Sequence, residues 1–425
     1  MYHKTTFDNG LQVVSHRLKG RESVGLAIWV RVGGRFERKN LSGISHFVEH
    51  MLFKGTKRRS TKQIKEDVEG VGGMLNAFTS EESTCYFVKI PKPQLKLAFD
   101  VLQDMVNNAV LKVEEFNKDR TVILEEIKMY LDLPAQYVHE IMSELLWPEQ
   151  PLGRPIAGTI ESVSALQRND LYHHVKSYYH PRNLLITVCG EVDHNEIKEL
   201  SGQFFNGQNR KPVSKYQPVK VPLRSNRNHF RFLDKKTEQT HFVIGFHSLS
   251  RNHPDRYKLA VLNVVLGANM SSRLFEEVRE QRGLAYEIKS GVSFFNDAGS
   301  IVISAGVEPK KTPLAVRVIM RELVRLKREP VSKNELRRAK DYFLGQLLLG
   351  LEDTLDQALW YGERILYGGD VPSVEDIRRE IERVSEKDLQ NLSKQFFGTE
   401  KIHFALIGPL DSKAEAKIKS ECVCS

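Results

Sequence analysis

Apolar residues stand at three- and four-residue steps through 44–52, where Ile44, Phe47, Val48, Met51 and Leu52 share one side of a predicted helix. His46, Glu49 and His50 are left on the other side. Upstream, Asn9-Gly10 gives a hairpin signal within 6–14, and 25–32 runs apolar as a sheet strand does. A short helix is expected near 61–69, strands near 74–79 and 83–90, and long helices over 92–109, 112–131 and 135–146. The second half repeats that mixture, with strands near 229–236 and 240–248, helices near 255–281, further strands up to 306 and helices beyond. Strands in runs with helices gathered beside them predict an α+β fold of two domains, each packing helices on one face of a mainly antiparallel sheet.

The ends of the two halves read alike. From Asp170-Leu171 to Gly190 the chain matches Asp388-Leu389 to Gly408 without a gap, 218 positions further on, and Tyr178-Tyr179 falls on Phe396-Phe397. Each copy leads from a helix into an apolar strand and then a glycine. Between the halves, Pro212, Pro218 and Pro222 sit among Lys, Arg and Asn with little apolar periodicity, the composition of a linker. The expected organisation is thus a domain over 1–208, a linker over 209–228 and a homologous domain over 229–425.

Size and composition fit an enzyme with full cores: 425 residues, 40% of them hydrophobic, accommodate two to four domains at roughly 100–200 residues each. No apolar run nears the roughly 20 residues that span a bilayer, and the first residues lack a signal peptide's apolar core, so a cytoplasmic location is expected. Cys85, Cys189, Cys422 and Cys424 form no C-x-x-C pair and read as reduced thiols. The net charge of +9 is the small difference between 63 basic and 54 acidic residues. Those charges are scattered, with no basic stripe carrying interleaved aromatics, and no nucleic-acid partner is expected.

His46 and His50 are four residues apart, so on a helix their imidazoles project from one face and can share a metal, with Glu49 beside them. Two histidines, a third protein ligand and a nearby carboxylate that takes a proton from water make a hydrolytic zinc site. Taken alone, the pattern also describes a solvated helix face. The third ligand is sought among carboxylates placed where carboxylates are rare: Glu126 lies on the apolar stripe of Val122, Ile123, Ile127 and Tyr130, whereas Glu125 does not. A glutamate snorkelling at the margin of the stripe is the alternative. Asp119, two turns earlier on the same face, suits a hydrogen bond to a ligand histidine, or simply a solvated acid near a helix start.

H-x-x-E-H with a glutamate 76 residues beyond His50 is the inverted zincin signature, and the sequence resembles the pitrilysin and mitochondrial processing peptidase family. The resemblance continues through His50-Met51-Leu52-Phe53-Lys54-Gly55-Thr56 and Gly72-Gly73-Met74-Leu75-Asn76-Ala77-Phe78-Thr79, then Ser272-Arg273-Leu274-Phe275 and 279–286, and so spans most of the chain. By length and an intact metal motif it is most similar to the bacterial relatives of the processing peptidase β subunit. The resemblance implies a zinc endopeptidase with Zn2+ on His46, His50 and Glu126 and with Glu49 as general base. It implies that Asn76 and Ala77 hold a peptide substrate along the strand 74–79, which read without the family is an ordinary core strand. It also implies that Arg279 and Tyr286 assist catalysis; bare, they are a surface charge and a strand residue. In that family four such domains close a clamshell chamber, so for a chain of two the resemblance implies a homodimer, with Arg279 and Tyr286 acting in trans. The alternative is a non-catalytic or partner-dependent structural subunit. Asp132, Glu140 and Glu144 would suit basic leader peptides, although charged helix surfaces are commonplace.

Overall fold

Asn9-Gly10 closes the expected hairpin, in which β1 (Tyr2–Thr6) runs antiparallel to β2 (Gln12–Arg17). The structure is a computed structural model that describes residues 2–205, 216, 218–219, 229–368 and 371–423. The expected linker over 209–228 therefore lies outside the described residues except at Tyr216, Pro218 and Val219.

The first sheet adds β3 (Ser23–Val30), β4 (Met74–Thr79), β5 (Thr84–Pro91) and β6 (Leu184–Gly190) in the order β1-β2-β6-β3-β5-β4. Every neighbouring pair is antiparallel except β2 with β6. Five helices of the first half follow the predicted periodicity: α1 (Ile44–Leu52), α2 (Thr61–Glu69), α3 (Leu95–Asn108), α4 (Val113–Asp132) and α5 (Pro134–Leu146).

The second sheet holds β7 (His229–Asp234), β8 (Thr240–Ser248), β9 (Ala285–Phe294), β10 (Gly299–Val307) and β11 (His403–Gly408) in the order β7-β11-β8-β10-β9. Its one parallel pair is β7 with β11. Removing β1 from the first sheet leaves the same topology, so the repeat read from the sequence is a repeat of structure. The helices Arg168–Tyr178 and Glu386–Phe396, and the short turns Pro181–Asn183 and Thr399–Lys401, recur at the predicted spacing of 218.

The two compact units are not contiguous in sequence. One comprises Met1–Lys128, Arg154–Gln217 and Leu348–Val371, the other Met129–Gly153, Pro218–Leu347 and Pro372–Ser425. A cut at 209–228 thus separates the two sheets, while each half lends a helix to the other unit. The reason is that β3 is apolar on both sides and needs two covers. Ala27 and Trp29 pack with Cys85 and Leu185 under Ile365 and Leu366 of the helix Thr354–Gly368. The approach is close: a Cβ on Gly362 would stand 2.0 Å from Trp29 Nε1. On the opposite face Val24, Leu26, Ile28 and Tyr86 are fully buried, and Tyr86 meets Phe53 at the end of α1 and the Tyr179 hydroxyl at 2.9 Å. The second cover of this sheet thus comes from the other half of the chain, beside the helices that the first half supplies.

In the second unit α5 lays Val138, Ile141, Met142 and Leu146 on Val243, Ala405 and Ile407. The helices expected near 255–281 are Arg256–Leu266, which ends at Gly267, and a π-helical turn, Phe275–Glu280. No described helix is long and apolar enough to cross a membrane.

Candidate metal centre

The start of α1 is fixed by a buried acid. Gly43 precedes the helix at a φ of +92°, which glycine adopts at little cost, and the Glu37 carboxylate accepts the N–H groups of Gly43 and Ser45, both at 2.8 Å. Glu37 is 7% exposed, and burial raises its pKa to about 7 against those hydrogen bonds. Phe47, on the buried side of α1, stacks on Phe116 of α4 with ring centroids 4.9 Å apart. That contact sets the helix carrying the two histidines against the helix carrying Glu126.

Across this junction the predicted ligands meet. His46 Nε2 lies 3.9 Å from Glu126 Oε1, and His50 Nε2 lies 3.8 Å from Glu126 Oε2. One donor atom from each of the three residues falls within 4.8 Å of the others. A tetrahedral ion with bonds of about 2.0–2.1 Å needs donors about 3.3 Å apart, so three donors that lie within 4.8 Å of one another must close by up to about 1.5 Å to complete the set. Two imidazoles and a carboxylate are a zinc donor set, and these residues fit that ion. Burial first, then the neighbouring His50, lowers the pKa of His46 to about 4, which keeps it neutral as a ligand must be.

Asp119 lies against the second histidine. Its carboxylate, 1% exposed, lies 3.4 Å from His50 Nδ1 and takes an ion pair from Lys54 Nζ at 2.6 Å. With Nδ1 engaged there, Nε2 is turned towards Glu126. Burial opposes the charge on Asp119, and the hydrogen bonds from His50 and Lys54 outweigh it, so its pKa is lowered. His50 is raised for the reciprocal reason: burial works against its charge, and Asp119 overcomes it.

The stripe on α4 differs from expectation in one respect. Val122 is 53% exposed; the buried face is Phe116, Asp119, Ile123 and Ile127, with Glu126 at its edge. Of the two acids Asp119 is the more deeply buried, its side chain 1% exposed against 25% for Glu126.

Glu49, one residue before His50, accepts a hydrogen bond from Thr79 Oγ1 at 2.6 Å. Burial raises its pKa, with Thr79 pulling the other way. Thr79 ends β4, which lies at the edge of the sheet and alternates between exposed and half-buried positions. Strand 74–79 is therefore an edge strand, and no strand pairs with its other side among the described residues. The Asn76 Oδ1 atom accepts the Ala77 N–H at 2.8 Å, so that amide is satisfied locally.

Arg279 and Tyr286 belong to the second unit, where they adjoin each other: the guanidinium carbon lies 5.2 Å from the Tyr286 ring centre. Arg279 sits on the π-helical turn and Tyr286 near the start of β9, 78% exposed. Sequence reasoning missed Glu37, Lys54 and Thr79. Only Lys54 left a readable signal, standing four residues beyond His50 and so placed to reach the same acid.

Residues 12–160 match the family model described as Insulinase (Peptidase family M16), and residues 165–343 match that described as Peptidase M16 inactive domain. An uncharacterized zinc protease of Streptomyces coelicolor is 34% identical over 419 residues, covering 98% of this chain and 91% of that protein. The uncharacterized zinc protease YmxG of Bacillus subtilis is 35% identical over 410 residues, covering 96% and 98%. The fold is shared with a protease from Helicobacter pylori at a TM-score of 0.91 and 23% identity, over 96% of this chain and 99% of that one.

Proposed function

The chain belongs to the insulinase, or M16, family of peptidases, and on that premise we propose that it is a zinc-dependent endopeptidase. Its substrates are short or unfolded peptides, leader peptides among them, met in the cytoplasm. The observation that carries this reading is the convergence of His46, His50 and Glu126 from two helices on one point.

His46, His50 and Glu126 hold the ion, and Asp119 fixes the ring of His50. When bound, zinc activates water and polarises the scissile carbonyl. Glu49 takes the proton of the attacking water and later delivers it to the leaving amine. Its hydrogen bond to Thr79 holds one carboxylate oxygen and leaves the other for that transfer. A substrate strand adds itself to the open side of β4, giving main-chain hydrogen bonds near Asn76 and Ala77 that demand no particular sequence. Arg279 and Tyr286 of a second copy donate to the oxygen on which charge develops.

Glu49→Gln tests the assignment because it preserves shape while removing the base. The expected outcome is a folded chain that keeps its zinc and loses peptide cleavage by about 100-fold or more. Turnover close to that of the unaltered chain would remove Glu49 from the role.

A further inference from the structure

Beside the metal centre opens a pocket of about 270 Å³. Glu49 and His50 form part of its wall, Asn76 of the edge strand another part, and the remainder is Phe53, Lys54, Thr61 and Lys65. The last two come from α2. That helix is held at its start by a capping box, with Ser60 Oγ accepting from the Gln63 N–H and Gln63 Oε1 from the Ser60 N–H. Ile64 and Val68 bury its inner side completely, which leaves Thr61 and Lys65, four residues apart, on the face that lines the pocket.

The cations around this pocket are mostly committed. Lys54 is bound by Asp119. Arg58 pairs with Asp100 and Asp104, and Arg59 with those two and Asp67. Lys62 faces Glu66 at 3.3 Å. Lys65, by contrast, has no acidic partner within 4.0 Å among the described residues; it is exposed in the free chain, and a peptide seated in this pocket would cover it. A cation in that position attracts a complementary charge more strongly than one on an open surface. The neighbours suit a short acidic side chain: Thr61 and Asn76 offer further donors, and Phe53 offers a surface for methylene groups.

We propose that Lys65 sets the specificity of the site, favouring peptides that place an aspartate or glutamate side chain in this pocket next to the scissile bond. The inference rests on the peptidase reading above and adds the substrate class to it. Lys65 Nζ donates to the substrate carboxylate, a charge-assisted contact that a neutral isostere cannot reproduce.

The test uses C-terminally amidated peptides, matched except for Glu, Gln or Lys at each position flanking the cleaved bond, so that the side chain is the only carboxylate varied. For the unaltered chain kcat/KM is expected to favour Glu over Gln by about tenfold at one position. The ratio should fall to near unity in Lys65→Gln and turn towards Lys in Lys65→Glu. Equal cleavage of Glu and Gln peptides at every position, or a ratio that survives Lys65→Gln, overturns the proposal. Binding of the same peptides to the Glu49→Gln chain, read by fluorescence anisotropy, reports the preference without turnover. A Lys65-dependent preference in binding without cleavage by the unaltered chain supports Lys65 and contradicts the peptidase reading. Cleavage without any preference does the reverse, and a chain that neither binds nor cleaves overturns both.

Discussion

Asp119 shows how one side chain governs another at the residue scale. Its carboxylate lies 3.4 Å from His50 Nδ1 and pairs with Lys54 Nζ at 2.6 Å, so in the proposed centre it would hold the direction of His50 without itself binding the ion. Asp119→Asn keeps the volume and loses the charge, and is expected to weaken zinc binding by about 10- to 100-fold, read by competition with a chelator of known affinity. An unchanged affinity would mean that His50 is held by packing alone. That His46, His50 and Glu126 come together was legible because the signals are local: two histidines at helical spacing, and a carboxylate on an apolar stripe. Glu37 and Thr79 were not legible, since the contacts that give them roles join residues 6 to 30 positions apart through the fold. Val122 was misread for a related reason. Periodicity gives the direction of an apolar stripe but not its width, and the margin of this one is solvent on one side and a polar seam on the other.

The helix Thr354–Gly368 is the clearest case at the scale of elements. Its sequence reads as an amphipathic helix of the second half, and nothing in that periodicity says that its apolar side covers a sheet of the first. The apolar run Val24–Val30 was the hint, because a strand buried on one side alone alternates, and this one does not. Trp29 is anchored there by donating its indole N–H to Thr187 Oγ1 at 3.2 Å, so it cannot swing aside for a larger residue at position 362. Gly362→Val is therefore expected to destabilise the first unit by about 3 kcal/mol or more, visible as a lower denaturation midpoint, although it lies more than 300 residues from Trp29 in sequence. A midpoint shift of only a few tenths of a kilocalorie would show that the helix is not seated on Trp29. The repeat at 218 was readable beforehand, since helix, apolar strand and glycine recur in register, whereas the strand order was not, because one aligned segment does not fix the pairing of the other strands.

For the whole molecule, the two units share a strand order and differ in the residues they carry. The second carries no H-x-x-E-H; it presents Arg279 and an exposed Tyr286 instead. If those residues serve the zinc of a second copy, mixing a Glu49→Gln chain with a Tyr286→Phe chain should restore cleavage, because one site of each mixed dimer then has all its parts. No recovery after proven subunit exchange would favour a site completed within one chain. Beneath this lies the claim that three side chains on two helices grip one divalent ion, and the direct test is metal analysis of the purified protein beside its Glu126→Gln variant. One zinc per unaltered chain, and a loss of most of it when only the carboxylate of residue 126 is replaced, is the expected result; equal zinc in both proteins, or none in either after loading, would contradict it.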